Sequence, residues 1–230
     1  MSHPKHALII HSPNGPAAQL FLLFHGFGAN KEDLEPLGER IADEFPQALV
    51  VSIDAPATSD FGYGRQWFSL AEISEDNRPA RVVEALPAFL DRIREWQRFA
   101  NLGPAATALV GFSQGGIMAL EASLADGTIT GRVVALSSRL AKLPDEAPET
   151  TTYHFFHGKA DQVIPYGHTV SAAEHLISLG GDVTADVLPF IGHEINDEVL
   201  ELMFNRLKTH VPKRIWDAAM RAQSEESPPH

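Results

Sequence analysis

The fold is indicated by the stretch Ala108-Leu109-Val110-Gly111-Phe112-Ser113-Gln114-Gly115-Gly116. In it, a serine between two glycines joins an apolar run of strand length to a run with helical character. A strand, a tight turn and a helix in this order are the setting of the G-x-S-x-G nucleophile elbow. In that motif the glycines allow the strand and helix backbones to approach each other, and the serine hydroxyl is exposed at the carboxyl end of a sheet. The stretch therefore predicts an α/β fold with Ser113 as a nucleophile.

Together with the run before Ser113, seven apolar runs predict strands, and helical patterns separate most of them. The predicted strands are His6–His11, Gln19–Phe24, Ala48–Ile53, Thr107–Gly111, Arg132–Leu136, Tyr153–Phe156 and Val183–Leu188. Most of these runs are continuously apolar rather than alternating, which is typical of strands that are covered on both faces. Alternating strands and helices predict a mostly parallel sheet with helices on both faces.

Five helices are predicted from apolar residues at three- and four-residue spacing. One follows Asn30, one follows Asn77, and the others cover Gly115–Asp126, Tyr166–Leu179 and Asn196–His210. Pro87 lies inside the second pattern, so we expect a kink or a break there. Residues 1–222 are expected to form one domain. Residues 223–230 are Gln, Ser, Glu, Pro and His without an apolar anchor, which predicts a disordered tail.

Composition narrows the class of protein. The 230 residues are 44% hydrophobic and 21% charged, which is ordinary for a globular domain. Cysteine is absent, which excludes disulfides, Cys-bound zinc and a cysteine nucleophile. A formal net charge of −12 argues against nucleic-acid binding and against stable membrane association. The N-terminus has no signal-like apolar region, so we expect a cytoplasmic protein. The oligomeric state is left open, a homodimer included.

A serine nucleophile needs a base and a group that orients the base. Asp161 comes shortly after the strand Tyr153–Phe156, and His193 comes shortly after the strand Val183–Leu188. The carboxyl ends of parallel strands meet at one edge of a sheet. The order Ser, acid, His is also the order in which α/β enzymes with this elbow carry their triad. The sequence therefore predicts a catalytic triad of Ser113, Asp161 and His193.

Other acids are less well placed for this role. Asp182 and Asp186 flank or enter a predicted strand, and Asp145 lies too far beyond the end of Arg132–Leu136. There are 11 histidines, and His193 is distinguished only by its position after a strand.

An oxyanion hole is the remaining requirement of acyl transfer. The backbone N–H of Gln114, next to the nucleophile and at a helix start, is one expected donor. The second is expected in Phe24-His25-Gly26-Phe27-Gly28, where an early strand ends, and the Phe27 N–H is the predicted donor. The alternative is an ordinary strand-to-helix turn with glycines for tightness.

The segment Ala55–Asn77 is long for a connection in a compact domain, which is typical of functional loops. It carries Phe61, Trp67 and Phe68, which we predict to line the substrate pocket. Packing of these rings against the sheet is the alternative. Whether the segment moves as a lid is left open.

Five motifs in order resemble one family. They are His25-Gly26-Phe27-Gly28, Trp67-Phe68, Gly111-Phe112-Ser113-Gln114-Gly115-Gly116, His157-Gly158 with Asp161 and Pro165, and Gly192-His193-Glu194-Ile195. Together they resemble the phospholipase/carboxylesterase family of α/β-hydrolases, which includes the acyl-protein thioesterases. The likeness runs from about Leu20 to Leu207.

The resemblance implies a cofactor-free, metal-free serine carboxylesterase that acts on small, short-acyl esters. An acyl thioesterase or a lysophospholipase with the same triad, and a non-catalytic ligand-binding protein, are the alternatives. The segment between Leu140 and Tyr153 is too short for a large cap domain. Two positions depart from the family: Ser69 stands where an acidic residue is common, and Ser138-Arg139 replaces the usual Ser-Gly. Both lie beside the expected acyl pocket, so they leave the substrate open.

Overall fold

The computed structural model describes residues 6–226, in which seven strands form one sheet. The strands of the chain are β1 (Ala7–His11), β2 (Gln19–Phe24), β3 (Ala48–Ile53), β4 (Ala57–Thr58), β5 (Arg65–Gln66), β6 (Thr107–Phe112), β7 (Arg132–Leu136), β8 (Thr152–Gly158) and β9 (Asp182–Leu188). The sheet order is β1-β3-β2-β6-β7-β8-β9, and all neighbours are parallel except β1 and β3. β4 and β5 form a separate antiparallel pair.

Helices cover both faces of the sheet. They are α1 (Glu35–Glu44), α2 (Arg78–Ala100), α3 (Gln114–Ala125), α4 (Gly167–Ser178), α5 (Asp197–Thr209) and α6 (Lys213–Glu226), with short 3₁₀ turns at Lys31–Leu34 and Pro104–Ala106. Side chains of α2, α3 and α4 pack in one apolar core, and those of α1 and α5 pack in a second core on the opposite face. Alternate residues of β2 contribute to the two cores, as the period of a strand requires.

The α/β class, the mostly parallel sheet and the seven strands predicted for it are confirmed. At Pro87, where a kink or a break was expected, α2 runs on without interruption, so the predicted break is wrong. Pro87 cannot donate to the carbonyl of Val83, but both residues lie on the exposed face of α2, where water can hydrogen-bond to that carbonyl. Solvent therefore replaces the hydrogen-bond donor that the helix lacks at this position.

Two features of the described chain did not follow from the sequence. The pair β4–β5 lies within the 55–77 segment, which was predicted to be irregular. The helix α6 was not predicted, although its apolar residues Ile215, Trp216 and Met220 lie on one side of it; these side chains are largely exposed. Residues 223–226, the first half of the predicted disordered tail, are helical and form the end of α6. Residues 227–230, the other half, lie outside the described residues.

In the part of the chain that the structure describes, no second domain covers the carboxyl edge of the sheet. Residues 137–151 connect β7 to β8 without a helix or a strand, so there is no cap in this connection. In residues 6–226, no helix is both long and apolar enough to cross a membrane.

One buried histidine links the stability of the fold to pH. His154 on β8 is fully buried, its Nδ1 is hydrogen-bonded to Thr184 at 2.8 Å, and its Nε2 has no partner among the described residues. Burial, followed by the positive charge of Arg132, lowers the pKa of His154 from 6.5 to about 3. The folded protein therefore keeps this ring neutral at pH values where the unfolded chain would protonate it.

We predict that His154→Asn weakens the acid sensitivity of folding. Between the two pKa values only the unfolded state binds a proton at this ring, so the free energy of unfolding falls as the pH is lowered. At about pH 5, His154 alone lowers it by about 2 kcal/mol relative to neutral pH. Urea unfolding at several pH values measures the slope. In the variant, the free energy of unfolding should fall less between neutral and acidic pH than it does in the native protein. An unchanged dependence of this free energy on pH would contradict the role of His154.

Candidate active site

Ser113 occupies a strained turn between β6 and α3. Its φ of 52° and ψ of −117° lie in a region that side-chain-bearing residues rarely adopt. A Cβ on Gly111 of β6 would clash with the backbone of Gly116 in α3, and a Cβ on Gly115 would clash with the carbonyl oxygen of Phe24 at the end of β2. Only glycine fits at either position, which explains the spacing of the motif.

The structure brings the three predicted triad residues together at the carboxyl edge of the sheet. His193 Nε2 lies 2.9 Å from Ser113 Oγ, and His193 Nδ1 lies 2.7 Å from Asp161 Oδ2. Asp161 follows β8, His193 follows β9, and Ser113 follows β6. The arrangement fixes the tautomer of the histidine, because the carboxylate accepts the Nδ1 proton and leaves Nε2 free to accept from the hydroxyl.

Asp161 is held as a carboxylate by its surroundings. Its Oδ1 accepts hydrogen bonds from the backbone N–H groups of Val163 at 2.8 Å and Ile164 at 2.9 Å. Burial opposes ionisation, but the hydrogen bonds from His193, Ile164 and Val163 outweigh it and lower the pKa of Asp161. The side chain has no exposed surface, so the negative charge acts on the histidine with little screening by water.

His157 is a second buried histidine that contacts Asp161; its motif was recognised in the sequence, but no role at the site was predicted for it. Its Nε2 lies 3.1 Å from Asp161 Oδ2 and 2.8 Å from the carbonyl oxygen of Ile164. Both partners are acceptors, so Nε2 carries a proton, and Nδ1 lies 2.7 Å from the hydroxyl oxygen of Thr169. Burial lowers the pKa of His157, which keeps the ring neutral at neutral pH. Its position in His157-Gly158, four residues before Asp161, was the available signal.

The loop after β2 is fixed by His25. The Nε2 of His25 accepts from the N–H of Ala55 at 3.0 Å, so its Nδ1 donates to the carbonyl of Gly26 at 2.7 Å. A Cβ on Gly26 would lie 3.3 Å from Cβ of Ser113, which places this loop directly against the nucleophile elbow. Among the described residues, neither the N–H of Phe27 nor that of Gln114 donates to a protein acceptor. Both predicted oxyanion donors are therefore available for a ligand.

The side chain of Gln114 fastens the 55–77 segment to the elbow. Its Oε1 accepts from the N–H of Trp67 at 2.8 Å, and its Nε2 donates to the carbonyl of Phe68 at 2.7 Å. Gln114 is buried, so these bonds satisfy polar atoms that water cannot reach. The same residue thus offers its backbone N–H at the elbow and holds the neighbouring loop with its side chain.

A cavity of about 480 Å³ opens at Ser113, a size usual for small-molecule sites. Its lining residues are Gly26, Phe27, Phe61, Phe68, Leu70, Ile73, Arg78, Phe112, Ser113, Gln114, Ile117, Arg139, Val163, Ile164, Pro165 and His193. Phe61 and Phe68 are in the wall, as predicted. The ring of Phe61 is 69% exposed and stands edge-on to Phe27, with 5.2 Å between the ring centroids.

The predicted substrate contact of Trp67 is not supported, because this side chain does not line the cavity. Its indole packs in the core against Phe24 and Phe89, and its Nε1 donates to the carbonyl of His25 at 2.9 Å. The indole is large and apolar and has one donor, so it is most stable where the ring is buried and that donor has an acceptor. Trp67 supports the loop that carries Phe27.

The competing acids lie away from Ser113 and have other partners. Asp182 contacts His210 at 2.9 Å, Asp186 forms a two-bond ion pair with Arg206, and Asp145 is exposed. Within the described residues, no three His, Asp or Glu side chains are grouped so that they could hold a metal ion.

The parallel sheet, the elbow and the residues at its carboxyl edge define an α/β-hydrolase. The chain belongs to the phospholipase/carboxylesterase family, whose model matches residues 5–211. Members of this family are serine hydrolases that act on carboxylic esters, and the chain is therefore an enzyme of that class.

Individual relatives agree with this assignment. The chain is 44% identical to esterase YpfH of Escherichia coli (strain K12) over 212 residues, which cover 92% of this chain and 91% of the relative. It is 27% identical to acyl-protein thioesterase 1 of Gibberella zeae over 64% of this chain and 69% of the relative. The crystal structure of esterase PE8 superposes with a TM-score of 0.79 at 29% identity, covering 89% of this chain and 97% of that one.

We predict that Gln114→Ala destabilises the fold, because it leaves the N–H of Trp67 and the carbonyl of Phe68 buried without partners. Two such losses together cost about 2–4 kcal/mol. Urea unfolding followed by tryptophan fluorescence measures the change. Gln19→Ala, which removes an exposed glutamine at the start of β2, is the matched control and should change the stability by less than about 0.5 kcal/mol. Equal stability of the two variants would contradict the anchoring role.

Proposed function

We propose that the chain is a cofactor-free serine carboxylesterase for small, short-acyl esters, with Ser113 as nucleophile, His193 as general base and Asp161 as the group that orients His193. The observation that carries this proposal is the continuous line of hydrogen bonds from Asp161 through His193 to Ser113 at the cavity. Such a line is the arrangement that activates a serine hydroxyl, which is a weak nucleophile on its own.

In the first half of the reaction, Ser113 Oγ attacks the carbonyl carbon of the ester while His193 Nε2 takes the hydroxyl proton. The carbonyl electrons move onto the oxygen, and the N–H groups of Phe27 and Gln114 donate to the resulting oxyanion. When the tetrahedral intermediate collapses, the bond to the leaving alkoxide breaks. His193 passes its proton to the alkoxide, which departs as an alcohol and leaves an acyl group on Ser113.

Water completes the reaction by the same steps. His193 takes a proton from the water as its oxygen attacks the acyl carbon, and the second tetrahedral intermediate is stabilised by the same two N–H groups. Collapse breaks the bond to Ser113 Oγ, which recovers the proton from His193, and the carboxylic acid leaves. Asp161 stabilises the imidazolium that forms twice in each turnover and keeps its own negative charge throughout.

The charged lining of the cavity favours short acyl groups. Arg78 and Arg139 lie in a wall that is otherwise largely apolar, and a long alkyl chain in this space would have to pack against guanidinium groups. The acyl thioesterase alternative has support from the relative named acyl-protein thioesterase 1, and lysophospholipase activity would need the same triad. A panel of p-nitrophenyl esters of increasing acyl length, tested beside acyl-CoA and lysophosphatidylcholine, separates these substrates.

Other expectations from the sequence stay predictions. They are a cytoplasmic location, no nucleic-acid partner, no stable membrane association, one domain over residues 1–222 and an oligomeric state in which a homodimer is open.

Ser113→Ala is expected to lower hydrolysis of p-nitrophenyl butyrate by at least about a thousandfold, because no other group in the site can form the acyl-enzyme. Initial rates, with circular dichroism to confirm folding, test this. Ser171→Ala, which changes an exposed serine on α4, is the control and should keep full activity. A fluorophosphonate probe should label the native protein and the control but not Ser113→Ala. Substantial turnover by a folded Ser113→Ala protein would overturn the mechanism.

His157 acts as a positioning residue, since its Nε2–H lies between the carbonyl of Ile164 and the carboxylate that orients His193. His157→Leu removes this donor and should lower kcat about tenfold with little change in KM, as expected for the loss of one hydrogen bond to a charged group. His157→Gln places an amide N–H near the position of Nε2 and should recover part of the loss. If both variants lose activity equally, His157 fills space and its hydrogen bond contributes nothing to catalysis.

A further inference from the structure

Two arginines in the cavity wall share one carboxylate. Arg139 Nη1 lies 2.9 Å from Glu75 Oε1 and its Nη2 lies 2.5 Å from Glu75 Oε2, while Arg78 Nη2 lies 3.2 Å from Glu75 Oε1. The two arginine side chains are 11% and 15% exposed, whereas that of Glu75 is 64% exposed. The hydrogen bonds from Arg139, together with that from Arg78, lower the pKa of Glu75, so it is ionised. The cluster therefore has one positive charge in excess.

Among the described residues that line the cavity or contact the two arginines, only Glu75 carries a negative charge. His168 lies 3.1 Å from Arg139 Nη1, and burial, with the positive charge of Arg139, lowers its pKa and keeps it neutral at neutral pH. Glu72 and Asp76 belong to the same segment as Glu75, but they are exposed and do not line the cavity. In a protein of net charge −12, the wall beside Ser113 is thus locally positive.

Arg78 has donor groups that the protein does not use. Its Nε is buried and has no hydrogen-bond partner among the described residues, and its one acceptor there is Glu75. A guanidinium offers five N–H donors in a planar fork that matches a carboxylate. The Nε itself is shielded from the cavity, so a ligand carboxylate would accept from the terminal nitrogens of Arg78, where Glu75 engages only Nη2.

We propose that the cavity selects esters that carry one carboxylate, which Arg78 and Arg139 bind while the ester carbonyl lies at Ser113. The substrate class is an ester with a short apolar segment between the reacting carbonyl and the anionic group, because the wall around Ser113 also contains Phe68, Leu70 and Ile73. This proposal rests on the proposed esterase function and adds the chemical nature of its substrate.

A purely structural ion pair predicts a different response to substitution. If Arg139, Arg78 and Glu75 only join the 69–77 segment to the loop after β7, removing any of the three weakens the site for every ester. If the arginines bind an anion, Glu75 competes with that anion. Replacing Glu75 then improves anionic substrates, while replacing either arginine harms them.

The experiment compares esters that differ only in charge. Monomethyl glutarate carries the carboxylate on the acyl side, and methyl pentanoate is its neutral reference. Acetoxyacetate carries the carboxylate on the alcohol side, and ethyl acetate is its neutral reference. Titration of the released acid measures kcat/KM. We expect at least one of the anionic esters to exceed its neutral reference at least tenfold, mainly through KM, and the better of the two identifies the side that faces the arginines. A wild-type enzyme that prefers the neutral ester in both pairs overturns the proposal.

Variants then assign the effect to the cluster. Arg139→Gln and Arg78→Gln should each lower kcat/KM for the preferred anionic ester about 10- to 100-fold and change kcat/KM for its neutral reference less than about threefold. Glu75→Gln should raise kcat/KM for the anionic ester. The matched control is Arg94→Gln. Arg94 lies on α2, as Arg78 does, but it is outside the cavity and pairs with Asp126. This variant should leave kcat/KM for all of the esters unchanged. Equal losses on anionic and neutral esters, or a loss in Glu75→Gln, contradict anion binding.

Binding without turnover keeps this test separate from the esterase mechanism. Titration calorimetry of monomethyl glutarate into Ser113→Ala should show binding that weakens in Ser113→Ala/Arg139→Gln and at high salt, while dimethyl glutarate binds weakly to both proteins. If the proposed triad is wrong but this binding is observed, the anion site stands. If esters are hydrolysed through Ser113 but neither the rates nor the binding depend on the carboxylate, only the anion site is overturned.

Discussion

The backbone of Ser113 is the constraint on which the site depends. Its positive φ turns the chain from β6 into α3 within one residue and directs the hydroxyl out of the carboxyl edge of the sheet. This conformation is unfavourable for a residue with a side chain, and the surrounding fold must maintain it. Gly111 and Gly115 allow the close approach of strand and helix, and the N–H of Ser113 donates to the carbonyl of Leu136 at 2.9 Å. The strain at one residue is thus offset by packing and hydrogen bonds of its neighbours.

The parallel sheet then places the other groups. Because β2, β6, β8 and β9 all end at the same edge, the loops that follow them meet around Ser113. The loop after β2 carries Phe27, the loop after β8 carries Asp161, and the loop after β9 carries His193. Each loop is held by buried polar side chains, of which His25, Gln114 and His157 are the clearest. The geometry at the edge is therefore determined by hydrogen bonds that lie one layer behind the reacting groups.

Electrostatic effects in the site act over short distances. Asp161 has no exposed surface, and its charge is directed at His193 and His157. The arginines beside the cavity are mostly buried as well, and they keep an excess positive charge in a strongly acidic protein. Charges removed from water in this way interact more strongly than surface charges, so a few residues can determine both the activation of the serine and the kind of ligand that fits.

The sequence by itself determined the fold class, the seven strands of the sheet and the positions of Ser113, Asp161 and His193, because each of these depends on a local pattern: an apolar run, a glycine spacing, or a polar residue just after a strand. Tertiary structure alone decided the rest. Trp67 became a core residue, and Pro87 was accommodated on an exposed helix face. Arg139 and Arg78 lie far apart in the sequence and share Glu75 only because α2 and the loop after β7 meet at the cavity. Such contacts depend on which surfaces pack together, and no local pattern of residues records that.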